Sequence, residues 1–219
     1  KGSVGPIPSG RIPGQWGLII ALIGTGLSAA VALALGWWTF VAALIGLVLA
    51  WAYSAPPLRL KLNGWTGNAA VAICYEGLPW FTGAAIMAQA FPDPRVVLIA
   101  FLYSVGAHGI MVLNDFKAID GDTRLGVRSL PVQLGADRAA KLACWVMGLA
   151  QLAVIILLSW WGQTLAATII TASLALQVLC MRRLLADPKG QAPWYNATGT
   201  SLYVLGMLAA AFALRAMAS

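Results

Sequence analysis

A charged stretch, residues 114–135, interrupts a chain that is otherwise almost wholly apolar. Three of the seven acidic residues of the chain fall within this stretch, at Asp115, Asp120 and Asp122. Like charges this close repel one another unless a cation lies between them. Mg²⁺ is typically held by one or two carboxylates together with water and the phosphate oxygens of a substrate. The spacing therefore favours a magnesium site over the alternative, a solvated loop whose charges only end a helix.

Two ionisable residues lie inside apolar runs, where such side chains are functional candidates by default. At helical spacing His108, Val112 and Asp115 share one side of a helix, with His108 about two turns deeper than Asp115. His108 is a candidate for substrate or pigment contact, or a core histidine bonded to a backbone carbonyl. Glu76 must be paired, protonated or facing a polar cavity, and Pro79 is expected to bend its helix. For Glu76 a structural hydrogen bond at this kink is the alternative.

Positive charge is concentrated in the segment of residues 54–65, which carries Arg59 and Lys61 and no acid. A diphosphate leaving group needs positive charge on it as its bond breaks. These two residues are therefore candidates for diphosphate binding, the alternative being contact with anionic lipid headgroups.

Other common chemistries find no support in the sequence. The chain contains no GxxxxGK[ST], GxSxG, HExxH or GxGxxG motif. Its three cysteines stand in apolar runs without CxxC spacing, so neither a disulfide nor a zinc site is predicted.

The composition is typical of a membrane protein. The chain is 60% hydrophobic and 10% charged, whereas soluble domains carry roughly 25% charged residues. Runs of about 20 apolar residues are long enough to cross a bilayer. We therefore predict seven spans, near residues 16–35, 39–53, 66–90, 95–113, 137–160, 164–181 and 194–214.

The basic residues are distributed unevenly between the two sides that seven spans define. The side that holds the acidic stretch and the Arg59/Lys61 segment carries 12 of the 14 lysines and arginines. The positive-inside rule makes this side cytoplasmic. The net charge of +7 is thus a sign of topology, and no nucleic-acid partner is expected. Tryptophans fall at most predicted span ends, as an interfacial aromatic belt requires.

Four segments of the chain resemble a known family. They are PIPSG at residues 6–10, YSAPPLRLK at 53–61, NDFK through GD and LG to SLP within 114–131, and WYN with YVLG within 194–206. Over nearly its whole length the chain resembles the UbiA superfamily of intramembrane prenyltransferases, and within it the chlorophyll and bacteriochlorophyll synthase branch. The resemblance implies an all-α polytopic membrane helical bundle that forms one domain over residues 1–219, with nine helices in the complete family fold.

The resemblance also implies a reaction and its residues. It implies transfer of a geranylgeranyl or phytyl group from its diphosphate to the propionate of bacteriochlorophyllide a, with Mg²⁺ as cofactor. Asp115, Asp120 and Asp122 match the second aspartate motif and are the expected metal ligands. The expected catalytic residues are Asp115, Asp122, Arg59 and Lys61. The expected substrate-binding residues are Tyr53, Asn114, Lys117, Arg124, Arg128, Ser129, His108 and Glu76.

One departure from the family pattern stands at the start of the chain. The first aspartate motif of the family precedes PIPSG, but residues 1–5 contain no acid. We therefore expect this polypeptide to lack the first two helices and the first metal motif. Two alternatives stay open: another UbiA-type aromatic or tetrapyrrole prenyltransferase, and a catalytically impaired pigment-binding membrane fragment. A transporter ranks last, since no internal repeat is visible.

The expected surroundings follow from the same resemblance. The protein is expected in the inner or photosynthetic membrane of a bacterium, with its active face towards the cytoplasm. Expected partners are the prenyl diphosphate, bacteriochlorophyllide, the lipid bilayer, and other pigment-biosynthesis or assembly proteins. The sequence leaves open the prenyl length, the exact tetrapyrrole and the oligomeric state.

Overall fold

The structure, a computed structural model, describes residue 10 and residues 13–218. Most of the PIPSG segment and residues 1–5 lie outside the described residues. The described part is helical: α1 (Gly14–Leu35), α2 (Trp37–Ser54), α3 (Gly64–Ala72), α4 (Leu78–Ala88), α5 (Pro94–Asp115), α6 (Ile119–Leu125), α7 (Leu130–Leu134), α8 (Ala136–Trp160), α9 (Thr164–Ala186) and α10 (Pro188–Ala218). Seven stretches of the described chain are long and apolar enough to cross a membrane, which confirms the predicted number of spans.

Short turns join these spans at the positions that the sequence predicts. Gly36 separates α1 from α2, and its φ of 130° is a conformation that a side chain would strain. The side chain of Asp93 accepts a hydrogen bond from the backbone N–H of Arg95 at 2.7 Å and so caps α5. The Arg95 guanidinium bonds the same carboxylate, which holds the pKa of Asp93 below its usual range.

The span that contains Glu76 is interrupted, as Pro79 predicts, but the bend takes a specific form. Residues Ile73–Gly77 form one π-helical turn between α3 and α4. Pro79 cannot donate a backbone hydrogen bond, and its ring crowds the carbonyl four residues earlier. The wider turn accommodates this, since the Leu78 N–H reaches back to the Ile73 carbonyl. π-Turns of this kind occur frequently at functional sites.

Two segments predicted as loops are largely helical. After α5, a 3₁₀ turn (Phe116–Ala118) leads into α6 and then α7. Gly126, with φ 68°, ends α6, and Leu130 is fully buried at the start of α7. The predicted loop 182–193 is also wrong, because α9 continues to Ala186 and α10 begins at Pro188, leaving one residue between them. Proline tolerates the first turn of a helix, so Pro188 starts α10 without losing a hydrogen bond.

The core lies where α5 packs against α8 and α10, with α9 behind them. Its largest fully buried side chains include Tyr103, Tyr195 and Tyr203. Position 106 requires glycine, because the ring of Tyr203 occupies the space that a Cβ would fill. By contrast, α1 packs mainly on α2, and Ala32 is its only buried residue. Among the described helices, α5 therefore packs against the largest number of other elements, and Asp115 stands at its carboxyl-terminal end.

Candidate functional site

The carboxylate of Asp115 is held by a partner that is distant in sequence. The Nδ2 of Asn68 on α3 donates to the Oδ2 of Asp115 at the end of α5, over 3.0 Å. Asn68 is buried and Asp115 is half-buried. An amide that donates to a carboxylate fixes its orientation and leaves the second oxygen free. The bond therefore fixes the direction of the Asp115 side chain at the carboxyl-terminal end of α5.

Other charges of the site surround Asp115. The charges of Asp115 and Asp122 act on each other, and both act on the phenol of Tyr53 at the end of α2. The positive charge of Lys117 also acts on Asp115, while its Nζ donates to the Oδ1 of Asn114 at 3.1 Å. Residues from α2, α5 and α6 thus interact electrostatically at the end of α5.

A backbone clamp joins the Arg59/Lys61 segment to the chain that follows α6. The N–H of Gly64 donates to the Arg128 carbonyl at 2.8 Å, and the N–H of Arg128 donates to the Leu62 carbonyl at 2.9 Å. Gly64 is required here, because a Cβ would lie 2.5 Å from the backbone nitrogen of Leu130. The side chain of Gln133 bonds the Arg128 carbonyl as well. The clamp places the two predicted phosphate-binding segments side by side.

The basic side chains at this end are exposed. Arg59 starts the short 3₁₀ turn Leu60–Leu62 with φ 43°, and Lys61 lies within that turn. Arg124 and Arg128 are exposed as well. In the described chain the only salt bridge joins Arg95 to Asp93, so none of these cations has a carboxylate partner there. The Ser129 hydroxyl is buried without a hydrogen-bond partner.

An apolar cavity of about 710 Å³ lies between α2, α3, α4 and α5. Ala69, the neighbour of Asn68, lines it at the Asp115 end together with Trp65 and His108. Phe91, in the turn before α5, lines the opposite end. The cavity therefore follows α5 from Val97 to His108 and ends about two helical turns before Asp115.

His108 is the residue of the cavity lining that stands nearest to Asp115 along α5. Its Nε2 lies 3.3 Å from the Trp65 carbonyl oxygen, and its ring stacks on the Trp65 indole with centroids 5.9 Å apart. The tautomer with its proton on Nε2 donates to that carbonyl and leaves Nδ1 as an acceptor. His108 therefore has the contact with a backbone carbonyl that is one of its two sequence alternatives, and it also lines the cavity, while contact with a substrate or pigment stays a prediction.

Glu76 lies in the π-helical turn and is away from the aspartates. It is half-buried, and its carboxylate forms no hydrogen bond or ion pair within the part of the chain that the structure describes. Its charge acts on the Tyr203 phenol in the core. The neighbouring Gly77 lines the apolar cavity, whereas Glu76 itself is not among the residues that line it.

The aspartates provide a donor set that suits Mg²⁺, although it is smaller than predicted. No group of three or more acidic, histidine or cysteine side chains gathers to hold a metal within residues 13–217. Asp120 is exposed and does not complete a set with Asp115 and Asp122. Two carboxylates whose charges act on each other without a salt-bridged counter-ion are what Mg²⁺ needs when phosphate oxygens supply the other ligands. The residues therefore fit the ion as a pair rather than as a triad.

Comparison with known proteins assigns the family. A model of the UbiA prenyltransferase family matches residues 4–205. The chain belongs to this family. It is thus an integral membrane prenyltransferase, from a family that generally uses Mg²⁺ through aspartate-rich motifs.

Individual relatives agree with this assignment. The chain is 60% identical to the bacteriochlorophyll synthase 33 kDa chain of Cereibacter sphaeroides, over 97% of this chain and 70% of the relative. It is 52% identical to the protein of the same name from Rhodobacter capsulatus, over 96% of this chain and 70% of the relative. A solved digeranylgeranylglyceryl phosphate synthase structure shares the fold, with a TM-score of 0.70 and 21% identity over 94% of this chain and 71% of the solved one.

Several residues that build the site escape sequence reasoning. Asn68 lies in a small-residue helix, and only its buried position beside Asp115 reveals its role. Gly64 precedes a helix, where glycine is common, so its close approach to Leu130 has no sequence signal. Trp65 reads as a belt residue, yet its carbonyl and ring both hold His108.

Proposed function

We propose that this protein transfers a geranylgeranyl or phytyl group from its diphosphate to the propionate carboxylate of bacteriochlorophyllide a. The observation that carries the proposal is the pair of interacting carboxylates Asp115 and Asp122 at the end of α5, a helix that lines a large apolar cavity. The close relatives named bacteriochlorophyll synthase support the choice of acceptor. In the reaction, the allylic C–O bond breaks with its electron pair leaving on the diphosphate, and a carboxylate oxygen forms the new ester bond.

Asp115 and Asp122 would hold Mg²⁺ together with oxygens of the diphosphate. When bound, the ion neutralises charge on the leaving group. The chain's own contribution is orientation, since Asn68 fixes one oxygen of Asp115 at 3.0 Å. Asp120, exposed on α6, would hold a water molecule of the ion's hydration shell.

The clamped basic segments would bind the diphosphate from the opposite side. Arg59 and Lys61 are the proposed catalytic cations, since positive charge on the leaving oxygens stabilises the transition state. Asn114, Lys117, Arg124, Arg128 and Ser129 are proposed as further diphosphate contacts. Ser129 supports this role because its buried hydroxyl has no partner in the described chain. Tyr53, at the end of α2, would contribute a phenol near the same charges.

The apolar cavity would exclude water from the reacting carbon and hold the hydrophobic parts of the substrates. A cavity of about 710 Å³ is in the range of small-molecule sites. His108, with a free ring nitrogen opposite its Trp65 bond, is the proposed pigment contact. Glu76, next to the cavity-lining Gly77, is the second proposed polar contact with substrate.

The acceptor needs no general base. Carboxylic acids have a reference pKa near 4, so the propionate is ionised at neutral pH. This agrees with the absence of any Ser/His/Asp arrangement in the sequence. We place the active face on the cytoplasmic side of a bacterial inner membrane, where 12 of the 14 basic residues lie.

The test is an esterification assay on the full chain in detergent, with bacteriochlorophyllide a, geranylgeranyl diphosphate and Mg²⁺. Asp115→Ala and Asp122→Ala should each lower kcat/KM by about a hundredfold or more, as loss of a charge-stabilising group does. Asp137→Ala, an exposed acid at the start of α8, is the matched control and should change little. Chelation of Mg²⁺ should stop the unaltered protein as well.

Three results would contradict the proposal. Full activity in both aspartate variants would overturn the assignment of the site while leaving the reaction in place. Transfer onto another aromatic or tetrapyrrole acceptor, with none onto bacteriochlorophyllide, would favour a different UbiA-type prenyltransferase. Pigment that copurifies without turnover under any metal would favour a pigment-binding role.

A further inference from the structure

A second cavity lies outside the site described above, on the outer side of the bundle between α8 and α9. It measures about 390 Å³. Its lining is apolar except for one cation from each helix, and it contains no acid: Lys141, Cys144, Trp145, Gly148, Leu149, Leu152, Leu174, Val178, Met181, Arg182 and Leu185. We call this cavity the α8–α9 groove.

The two cations stand at the same end of the groove. A turn at residues 161–163 joins α8 to α9, and the two helices pack side by side. Lys141 lies 20 residues before this turn and Arg182 lies 19 residues after it. At 1.5 Å per residue both are therefore roughly 30 Å from the turn. The two cationic side chains therefore lie at the same end of the bundle as Asp115.

Within the described residues these cations have no acidic partner. In the described residues the single salt bridge is the one between Arg95 and Asp93. Arg183 makes an instructive contrast with its neighbour Arg182. Its Nε donates to the Oε1 of Gln191 at 2.8 Å, and its guanidinium lies 4.2 Å from the Trp194 ring. Arg182 has no such contact and is exposed beside Lys141 at the groove.

The apolar part of the groove has the depth of one membrane leaflet. From Lys141 to Leu152 the helix rises about 16 Å, and half the hydrocarbon core of a bilayer is about 15 Å. Trp145, two-thirds exposed, stands one turn below Lys141, at the depth where tryptophan favours the interface. Gly148 leaves the middle open, since a Cβ there would meet nothing within 4 Å.

We propose that the α8–α9 groove binds one anionic glycerophospholipid. Its phosphate lies between Lys141 and Arg182, and one acyl chain runs along the groove past Gly148. Charge complementarity selects an anionic headgroup, because the groove is lined by two cations and by no acid, and neither cation forms a salt bridge within the described residues. Basic pockets between membrane helices bind anionic lipid headgroups in this way. The site is independent of the proposed prenyl transfer.

The first test counts retained lipid by native mass spectrometry during titration with phosphatidylglycerol or phosphatidylcholine. The unaltered protein should retain phosphatidylglycerol preferentially. Each Lys or Arg near an anionic headgroup is worth roughly fivefold in binding, so Lys141→Ala with Arg182→Ala should weaken retention about thirtyfold. The matched control, Lys189→Ala with Arg215→Ala, removes two exposed charges outside the groove and should stay within about twofold of the unaltered protein.

The second test blocks the acyl chain without changing any charge. Gly148→Leu should lower phosphatidylglycerol retention, whereas Gly83→Leu, at an exposed helical glycine with equal free space, should not. Equal lipid loss in both charge doubles, or unchanged retention in the groove double, would overturn the proposal. So would displacement of the lipid by millimolar inorganic phosphate, since that would show a bare anion site. Because binding is the readout, the result stands whether or not the protein esterifies bacteriochlorophyllide.

Discussion

At the scale of single residues, the site depends on one amide. Asp115 stands out in the sequence because acids are scarce, but its orientation comes from Asn68, 47 residues earlier. A carboxylate with two free oxygens can rotate, whereas one held at 3.0 Å presents its other oxygen in a fixed direction. Asn68 is therefore a positioning residue that acts on the metal site through Asp115.

We predict that Asn68→Leu raises the Mg²⁺ concentration needed for half-maximal rate by about 10- to 100-fold. This is the usual effect of losing a side chain that orients a metal ligand. The rate at saturating Mg²⁺ should recover most of its value, because Asp115 itself is still present. The measurement is a magnesium titration of esterification, alongside thermal unfolding to check the fold. An unchanged magnesium dependence would show that the amide has only a structural role.

The residues that the sequence reveals are those whose chemistry is rare in their surroundings. Asp115, Asp122 and His108 are polar groups in an apolar chain, so their positions alone attract attention. Asn68 and Gly64 are different, because their roles consist of a contact with a distant partner. No local pattern encodes such a contact before the helices are packed. The sequence therefore reveals residues whose own chemistry is unusual, but it does not reveal residues whose role is a contact with a distant partner.

At the scale of elements, the short segments between the spans form a built surface. The 3₁₀ turn Leu60–Leu62 is tied to the start of α7 by the bonds between Leu62, Gly64 and Arg128. Hydropathy finds the spans because burial in lipid imposes a length and a composition. It does not find α6 or α7, which are only seven and five residues long. Their helical form comes from Gly126 and from the burial of Leu130.

We predict that Gly64→Ala separates these two elements. The added Cβ would lie 2.5 Å from the Leu130 nitrogen, which is backbone and cannot rotate away. Overpacking of this kind costs about 1–3 kcal/mol. The KM for the prenyl diphosphate should rise, because Arg59 and Arg128 would no longer share one surface. Thermal unfolding and steady-state kinetics measure the two effects.

Gly83→Ala is the matched control for this substitution. It places a methyl group where nothing lies within 4 Å, on α4. Alanine is favoured over glycine inside a helix by roughly 0.5–1 kcal/mol, so this variant should be as stable as the parent or slightly more so. A Gly64→Ala protein that matches Gly83→Ala in stability and in KM would contradict the clamp.

At the scale of the whole molecule, the bundle is held unevenly. The carboxyl-terminal helices α8 and α10 pack closely with α5 and α9 packs behind them, while α1 contacts mainly α2. Between α8 and α9, Gln151 and Gln177 are fully buried and bond each other in both directions at 3.0 Å. This reciprocal pair satisfies both amides inside an apolar core. The closely packed helices α8, α9 and α10 thus support α5, whose end carries Asp115.

We predict that the two glutamines are energetically coupled. Gln151→Leu or Gln177→Leu alone leaves a buried amide without its partner, which should lower the free energy of unfolding by about 1–2 kcal/mol. Replacing both with leucine removes the unsatisfied group, so the double variant should be more stable than the sum of the single losses predicts. Reversible unfolding in mixed detergent micelles measures the full cycle. A coupling near zero would mean that each amide finds another partner, and that shape alone joins α8 to α9. A clear coupling would mean that this polar pair fixes the register of the helices behind α5, and with it the position of the carboxylate at its end.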